Sequence, residues 1–326
     1  MVVETRFLLI CKPEQSGKTF EMINCINQTI LDEIGRQTTV NIIFCDNSQL
    51  LTEQTSTRVK QEVKKLPGTN ENCIIFSSSK STETHTVNDV TSQIAIDGIT
   101  HVICCTNYKR VTDCKEIIDR LNTGLKTKGQ YNFTIWLDEA DKFDKHIQNT
   151  FLPIVQETPN VKCVCLTATP AKLFEKYDFL NVVPFEYSTS RNYHGWKDNH
   201  IVHKEEMPGN SIAFTSDVLH DFKAEHDGIV PSGTKWYIPA DRFKKSHDEM
   251  ATTLNRHGFA TFIVNGDGIK LKLPNGEEFQ REKTKELNQL IQEMMVQYEV
   301  DKCPIALTGD VCIGRGVSIT KENHFI

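Results

Sequence analysis

Phe7-Leu8-Leu9-Ile10 leads, across Cys11, into Lys12-Pro13-Glu14-Gln15-Ser16-Gly17-Lys18-Thr19. The order is an apolar strand, a tight polar loop, then Gly-Lys-Thr opening a helix. That is the context a phosphate-binding loop requires. Backbone N–H groups of such a loop, from Gln15, Ser16 and Gly17, surround phosphates, and the helix N-terminus adds its positive dipole end. Lys18 is placed to reach the β- and γ-phosphates, and the Thr19 hydroxyl to ligate Mg²⁺. Phe20, the next residue, is counted with the nucleotide-binding group. The first glycine of G-x-x-x-x-G-K-[ST] is here Lys12.

Outward from this stretch, helices and strands alternate. Helical spacing runs from Phe20 to Ile34 through Met22, Ile23, Ile26 and Ile30, with Gly35 as a stop. Thr38–Cys45 is β-rich and mostly apolar, as a strand covered on both faces should be. Ser48 is placed to cap a second helix reaching about Lys65. Further strands are predicted at Cys73–Phe76, His101–Cys105, Phe133–Leu137 and Val161–Leu166, with helices at Val87–Ile96, Thr112–Leu121 and Lys145–Gln156. This alternation predicts an α/β fold with mostly parallel sheets flanked by helices.

Between Pro184 and Gly209 the chain becomes polar and rich in His, Asn and Tyr, so the domain connection is placed there. The division expected is 1–187 for a nucleotide-binding domain, 188–209 for the linker and 210–326 for a second domain. In that second part we expect a strand at Ile212–Phe214, a helix over Asp217–Glu225, a strand at Trp236–Ile238 and a helix at Phe243–Arg256. A strand at Ala260–Val264 follows, and Ile269–Leu273 with Pro274-Asn275-Gly276 reads as a hairpin turned by Asn-Gly. A long helix over Arg281–Tyr298 and a strand at Pro304–Leu307 complete the reading.

The whole chain has 326 residues, 38% hydrophobic and 25% charged, with a formal net charge of −6. Two soluble globular domains are the natural expectation. The charge does not mark a nucleic-acid binder, yet a motor confines its basic residues to one cleft. No apolar run approaches the roughly 20 residues needed to span a bilayer, so no membrane partner is expected. The first strand begins almost at once, so no signal peptide is expected. Eleven cysteines without a C-x-x-C pair lie mainly in apolar runs, which predicts buried thiols in a reducing intracellular compartment, cytoplasm or nucleus.

The second chemical stretch is Ile135-Trp136-Leu137-Asp138-Glu139-Ala140-Asp141. A strand ending in Asp-Glu brings two carboxylates to the sheet edge that holds the phosphate loop. Asp138 suits Mg²⁺, and Glu139 suits the water that attacks the γ-phosphate. An Asp at a strand end is also a common helix cap. The two stretches in this order, each after a strand, favour the chemical reading.

On these residues the chain resembles the superfamily 2 helicases and translocases, whose second motif is often Asp-Glu-Ala-Asp, as at 138–141. Leu166-Thr167-Ala168-Thr169-Pro170 is similar to their third motif, which implies a coupling role for Thr167 and Thr169. Asp46–Arg58 is similar to motif Ia, and Cys105-Thr106-Asn107 to a strand-end motif touching the nucleic-acid backbone. Thr308-Gly309-Asp310 and Gly314-Arg315-Gly316-Val317-Ser318 resemble motif V. The resemblance implies two RecA-like domains with ATP and Mg²⁺ as cofactors. It further implies a nucleic-acid partner, DNA slightly ahead of RNA, and a kinship with large-DNA-virus members. Ser48, Thr106, Asn107 and Thr308 then suit phosphate contacts, which position without reading sequence. Arg315, with Gly316 allowing close backbone approach, suits the nucleotide or its coupling network, and Arg315 is counted as catalytic with Lys18, Asp138 and Glu139.

The family's adenine-reading motif and its arginine-rich motif VI are not found before Phe7 or after Ser318, so the second domain is expected to be incomplete. Two other readings stay open: a different phosphate-loop ATPase such as a packaging motor, and a helicase-like module that binds without turnover. Lys12 and Ser318 speak for the latter.

Overall fold

A computed structural model describes residues 6–12, 17–32, 38–46, 49–63, 73–77, 86–124, 127, 129–177, 181–183, 210–282 and 287–309. The chain divides into two compact units, Met1–His200 and Ile201–Ile326. The linker expected at 188–209 lies outside the described residues, and so do Gln15, Ser16, Ser48, Arg315 and Gly316.

The first unit holds a seven-stranded sheet in the order β3-β4-β2-β5-β6-β1-β7. Its strands are β1 (Phe7–Cys11), β2 (Thr38–Cys45), β3 (Cys73–Phe76), β4 (His101–Cys105), β5 (Tyr131–Asp138), β6 (Val161–Thr167) and β7 (Asn181–Val183). Every pairing among them is parallel. Such strands are buried on both faces, which is why they read as unbroken apolar runs. Alternate residues go to opposite sides. Leu9, Ile42, Phe44, Ile135 and Cys163 pack against α3 (Val87–Asp97), α4 (Tyr108–Thr123) and the helical run of 144–157. Ile10, Ile43, Trp136 and Leu166 pack against α1 (Lys18–Asp32) and α2 (Gln49–Val63) through Met22, Ile23, Ile26, Val59 and Val63. The architecture is consistent with a RecA-like domain.

Two details depart from the expected elements. The helix predicted at Lys145–Gln156 is composite: α5 (Asp144–His146), a π-helical turn at Ile147–Phe151 and α6 (Leu152–Glu157). Pro153 offers no N–H to the preceding turn, and the wider turn stands just before it. The short strand β7, on the sheet edge beside β1, is not among the predicted elements.

Because all seven strands run the same way, their carboxyl ends lie on one edge. Reading across that edge from β3 to β1 gives Ser77, Thr106, Asp46, Asp138-Glu139, Thr167 and Lys12. Six strands at about 4.8 Å spacing span roughly 24 Å. After β1 the chain enters α1 on one face; after β6 it enters α7 (Ala171–Lys176), whose Leu173 packs on the other. Neighbouring strands that feed opposite faces open a crevice beyond their ends, the usual ligand position in such sheets.

The second unit has a five-stranded mixed sheet, β11-β10-β9-β12-β8. Strands β8 (Lys235–Pro239), β12 (Ile305–Gly309) and β9 (Ala260–Asn265) are parallel, and β9, β10 (Gly268–Lys272) and β11 (Glu278–Arg281) form an antiparallel meander. The Asn275-Gly276 turn joins β10 to β11 as expected. Gly268 is required: a Cβ there would meet the Arg281 carbonyl oxygen at 2.4 Å.

Three expectations are corrected here. Ile212–Phe214 is not a strand but part of α8 (Ser211–Glu225), capped by the Asn210 side chain accepting from Ala213 N at 2.8 Å. Its buried face, Ile212, Leu219 and Phe222, follows helical rather than alternate spacing. Arg281 ends a strand instead of starting the long helix, and α10 is described over Leu287–Gln297. The last strand continues to Gly309. Helix α9 (Lys244–Arg256) stands as predicted, one residue later.

Candidate functional site

Gly17 sits at φ +85°, a left-handed conformation that glycine adopts without strain, and its carbonyl accepts from Glu21 N at 3.0 Å. The chain thereby turns from loop into α1 and carries Lys18 inward. Lys18 is only 8% exposed. Its Nζ lies 3.2 Å from Glu139 Oε1, which joins the two stretches singled out in the sequence. Strand β6 stands between their strands, so both side chains reach across one strand's width.

Glu139 has unusual backbone and side-chain surroundings. It is one of three non-glycine residues at positive φ among those described, at φ 59° and ψ 49°. A bulky side chain in that region is disfavoured, and such strain gathers at functional sites. The residue is 9% exposed, and its Oε2 is buried with no hydrogen-bond partner. A buried carboxylate oxygen left unpaired is costly unless something supplies a partner.

Asp138 ends β5 beside this pair. Withdrawal from water, and then the neighbouring Glu139, push its carboxyl up to about 6; Lys18, the Glu139 N–H and Arg58 oppose that rise. A carboxyl held so high has lost its water without gaining enough positive charge in exchange.

The third motif is tied to both. Thr167 Oγ1 donates to Asp141 Oδ1 at 2.7 Å and accepts from Thr169 N at 3.0 Å. The Thr167 carbonyl accepts from Lys12 N at 3.2 Å, so the end of β6 holds the residue after β1 as well as the acidic turn. Thr167 itself is fully buried, whereas Thr169 is exposed. Lys12, in place of the expected glycine, forms an ion pair with Glu21 in the first turn of α1 at 2.9 Å.

The far end of the row is differently built. The Thr106 hydroxyl donates to the Cys45 carbonyl, and Thr106 N donates there too, binding the ends of β2 and β4. Asn107 caps α4, its Oδ1 accepting from Arg110 N at 3.0 Å. Arg110, which sequence reasoning passed over, is 4% exposed. It donates Nε to Ser77 O at 2.6 Å, pairs with Asp113 at 2.9 Å and lies 3.8 Å over the Phe76 ring. Its place three residues after a cap was the available signal. Asp141 was passed over in the same way, although the fourth residue of Asp-Glu-Ala-Asp is legible.

Thr308 does not join this row. It lies in β12 of the second unit, fully buried, with its Oγ1 lacking a hydrogen-bond partner. The ten described cysteines are all free thiols, seven of them buried. Among the described residues no helix is long and apolar enough to cross a membrane.

No family model and no curated protein matches this chain. Among solved structures it is similar to domain 2 of the Mss116p DEAD-box helicase, described as bound to an RNA duplex. The identity is 10% and the TM-score 0.38, over 68% of this chain and 77% of that one. It is also similar to the ORC2 protein of Aeropyrum pernix, described in ADPNP-ADP complexes. There the identity is 12% and the TM-score 0.25, over 53% of this chain and 48% of that one.

Proposed function

We propose that this chain is a nucleic-acid-dependent ATP hydrolase of helicase or translocase type. The observation that carries the reading is the buried Lys18–Glu139 pair at 3.2 Å, with one glutamate oxygen left without a partner. Here a γ-phosphate would replace Glu139 as the partner of Lys18. Glu139, released and already aimed inward, would then hold the attacking water and take its proton. Among the described residues no three His, Cys, Asp or Glu side chains converge on a metal position. Mg²⁺ suits the site none the less, because it is commonly held by one carboxylate, phosphate oxygens and water. Asp138 and the Thr19 hydroxyl are the residues that would hold it, and it would neutralise charge on the β- and γ-phosphate oxygens.

Thr167 would report the state of this site to the rest of the edge, since one side chain and one carbonyl touch both the acidic turn and the loop. Thr106, Asn107 and Ser48 are the proposed phosphate contacts for single strands. Arg315 and Gly316 are proposed for the nucleotide or its coupling network, and the second unit for the partner domain of a two-domain motor joined through 188–209. The Lys12–Glu21 pair supports a second reading, a module that binds nucleotide without turnover, because a lysine holds the first loop position.

Phosphate release with and without single-stranded DNA or RNA separates these readings. Turnover stimulated by nucleic acid and lost in Lys18→Ala is expected. Mg·ATP binding without turnover would select the second reading, and no nucleotide binding would sink both.

A further inference from the structure

Helix α1 follows its amphipathic pattern at every described position but one. Lys18, Met22, Ile23 and Ile26 form its buried side, and Gly17, Asn24 and Gln28 are exposed. At 100° per residue Phe20 falls with the exposed set, 58% open to solvent. A phenylalanine there adds nothing to the core. Its position is specific: Phe20 Cβ lies 3.8 Å from where a Gly17 Cβ would stand, and Lys18 and Thr19 directly precede it. An exposed apolar residue thus stands on the first turn of the helix that would receive the phosphates, directly after Lys18 and Thr19.

We propose that the Phe20 ring is the platform on which the base of the bound nucleotide stacks. This rests on the nucleotide reading above and adds to it how the base is held. Every base has a π-face, so a stacked ring gives affinity without reading the hydrogen-bonding edge. The site would therefore accept nucleoside triphosphates with little distinction between adenine and guanine.

The test uses the full chain and three probes: Mg·ATP, Mg·GTP and Mg·tripolyphosphate, each titrated calorimetrically against the parent, Phe20→Ala and Phe20→Tyr. The parent should bind ATP and GTP within about 3-fold of each other. Phe20→Ala should weaken both nucleotides by about 5- to 150-fold, the range for removal of one base–aromatic stack. Tripolyphosphate, which has no base, should bind the parent and Phe20→Ala alike, which also shows that the variant folds. Phe20→Tyr should keep parental affinity. Equal nucleotide affinity in parent and Phe20→Ala would overturn the stacking while leaving the nucleotide reading intact. A parental preference for ATP above about 10-fold would overturn it too, by revealing an edge-reading pocket. If the parent binds neither ATP nor tripolyphosphate, the nucleotide reading fails, and this inference with it.

Discussion

The strand-end row of the first unit has two ends, and they treat polar groups differently. Around β1, β5 and β6, Lys18 and Glu139 are nearly buried, one glutamate oxygen lacks a partner, Glu139 is in the left-handed region and Asp138 is held at about 6. Around β2 and β4, the Thr106 hydroxyl is taken by the Cys45 carbonyl and the Asn107 amide oxygen by the α4 N-terminus. The same local sequence grammar, a strand followed by short polar residues, gives a buried ion pair at one end and hydrogen-bonded closure at the other. The buried Lys18–Glu139 pair, the left-handed glutamate and the raised Asp138 carboxyl distinguish them, and no sequence motif does; a buried oxygen without a partner occurs at both ends, since Ser77 Oγ after β3 is another.

The sharpest break of this comparison is Glu139→Gln. If the strained glutamate is the base, turnover should fall by about 10²–10⁴ with Mg·ATP binding retained. Equilibrium titration and single-turnover hydrolysis on the same preparation check it. Retained turnover would move the base elsewhere and leave the two ends alike.

Thr167→Val tests the link between the acidic turn and the loop before α1. It removes a hydrogen bond to a carboxylate and leaves Thr169 N without its acceptor, so stability should drop by about 1.5–3 kcal/mol. Stimulation by nucleic acid should fall further than basal turnover does. An equal fall in both would reduce Thr167 to a structural residue.

For Asp138 the sign can be worked out. Its folded pKa, about 6, lies above its ordinary 3.8, so the folded state binds the proton more tightly. That contribution is complete below the ordinary value and is lost as pH rises through about 6. Asp138→Asn, without added Mg²⁺ or nucleotide, should therefore be more stable than the parent at about pH 8, by about 1–3 kcal/mol. The difference should fade as pH falls toward about 4. Urea midpoints at the two pH values measure it, and a constant difference would mean that burial is not the cause.

Much of this was legible in the sequence, for a physical reason. Strands buried on both faces must be apolar throughout, so β1, β2, β4, β5 and β6 announce themselves, and Gly17-Lys18-Thr19 and Asp138-Glu139 mark their ends. The meeting of Lys18 with Glu139 depends on β6 lying between β1 and β5, a strand order that no local pattern encodes. Ile212–Phe214 misled because three residues are too few to separate a two-residue period from a helical one. The burial of Thr308 was not legible because a motif carries no burial: on β12, flanked by β8 and β9, its side chain is enclosed.

Asn107 gives the smallest effect and the finest discrimination. Its side chain caps α4, and a cap lost to alanine costs about 0.5–2 kcal/mol, so Asn107→Ala should be destabilised by roughly 1 kcal/mol. That result alone cannot tell a cap from a cap that also grips a phosphate. The substitution Asn107→Asp can, because aspartate caps as well as asparagine and adds a negative charge at the helix N-terminus, where the dipole favours it. This variant should keep parental stability. If the far end of the row grips a phosphate backbone, that charge should weaken single-strand binding, most at low salt where phosphate contacts dominate affinity. Fluorescence anisotropy of a labelled oligonucleotide across a salt series reads the loss. Unchanged affinity and salt slope in Asn107→Asp would leave residue 107 as a cap only, and the row would then have a single functional end.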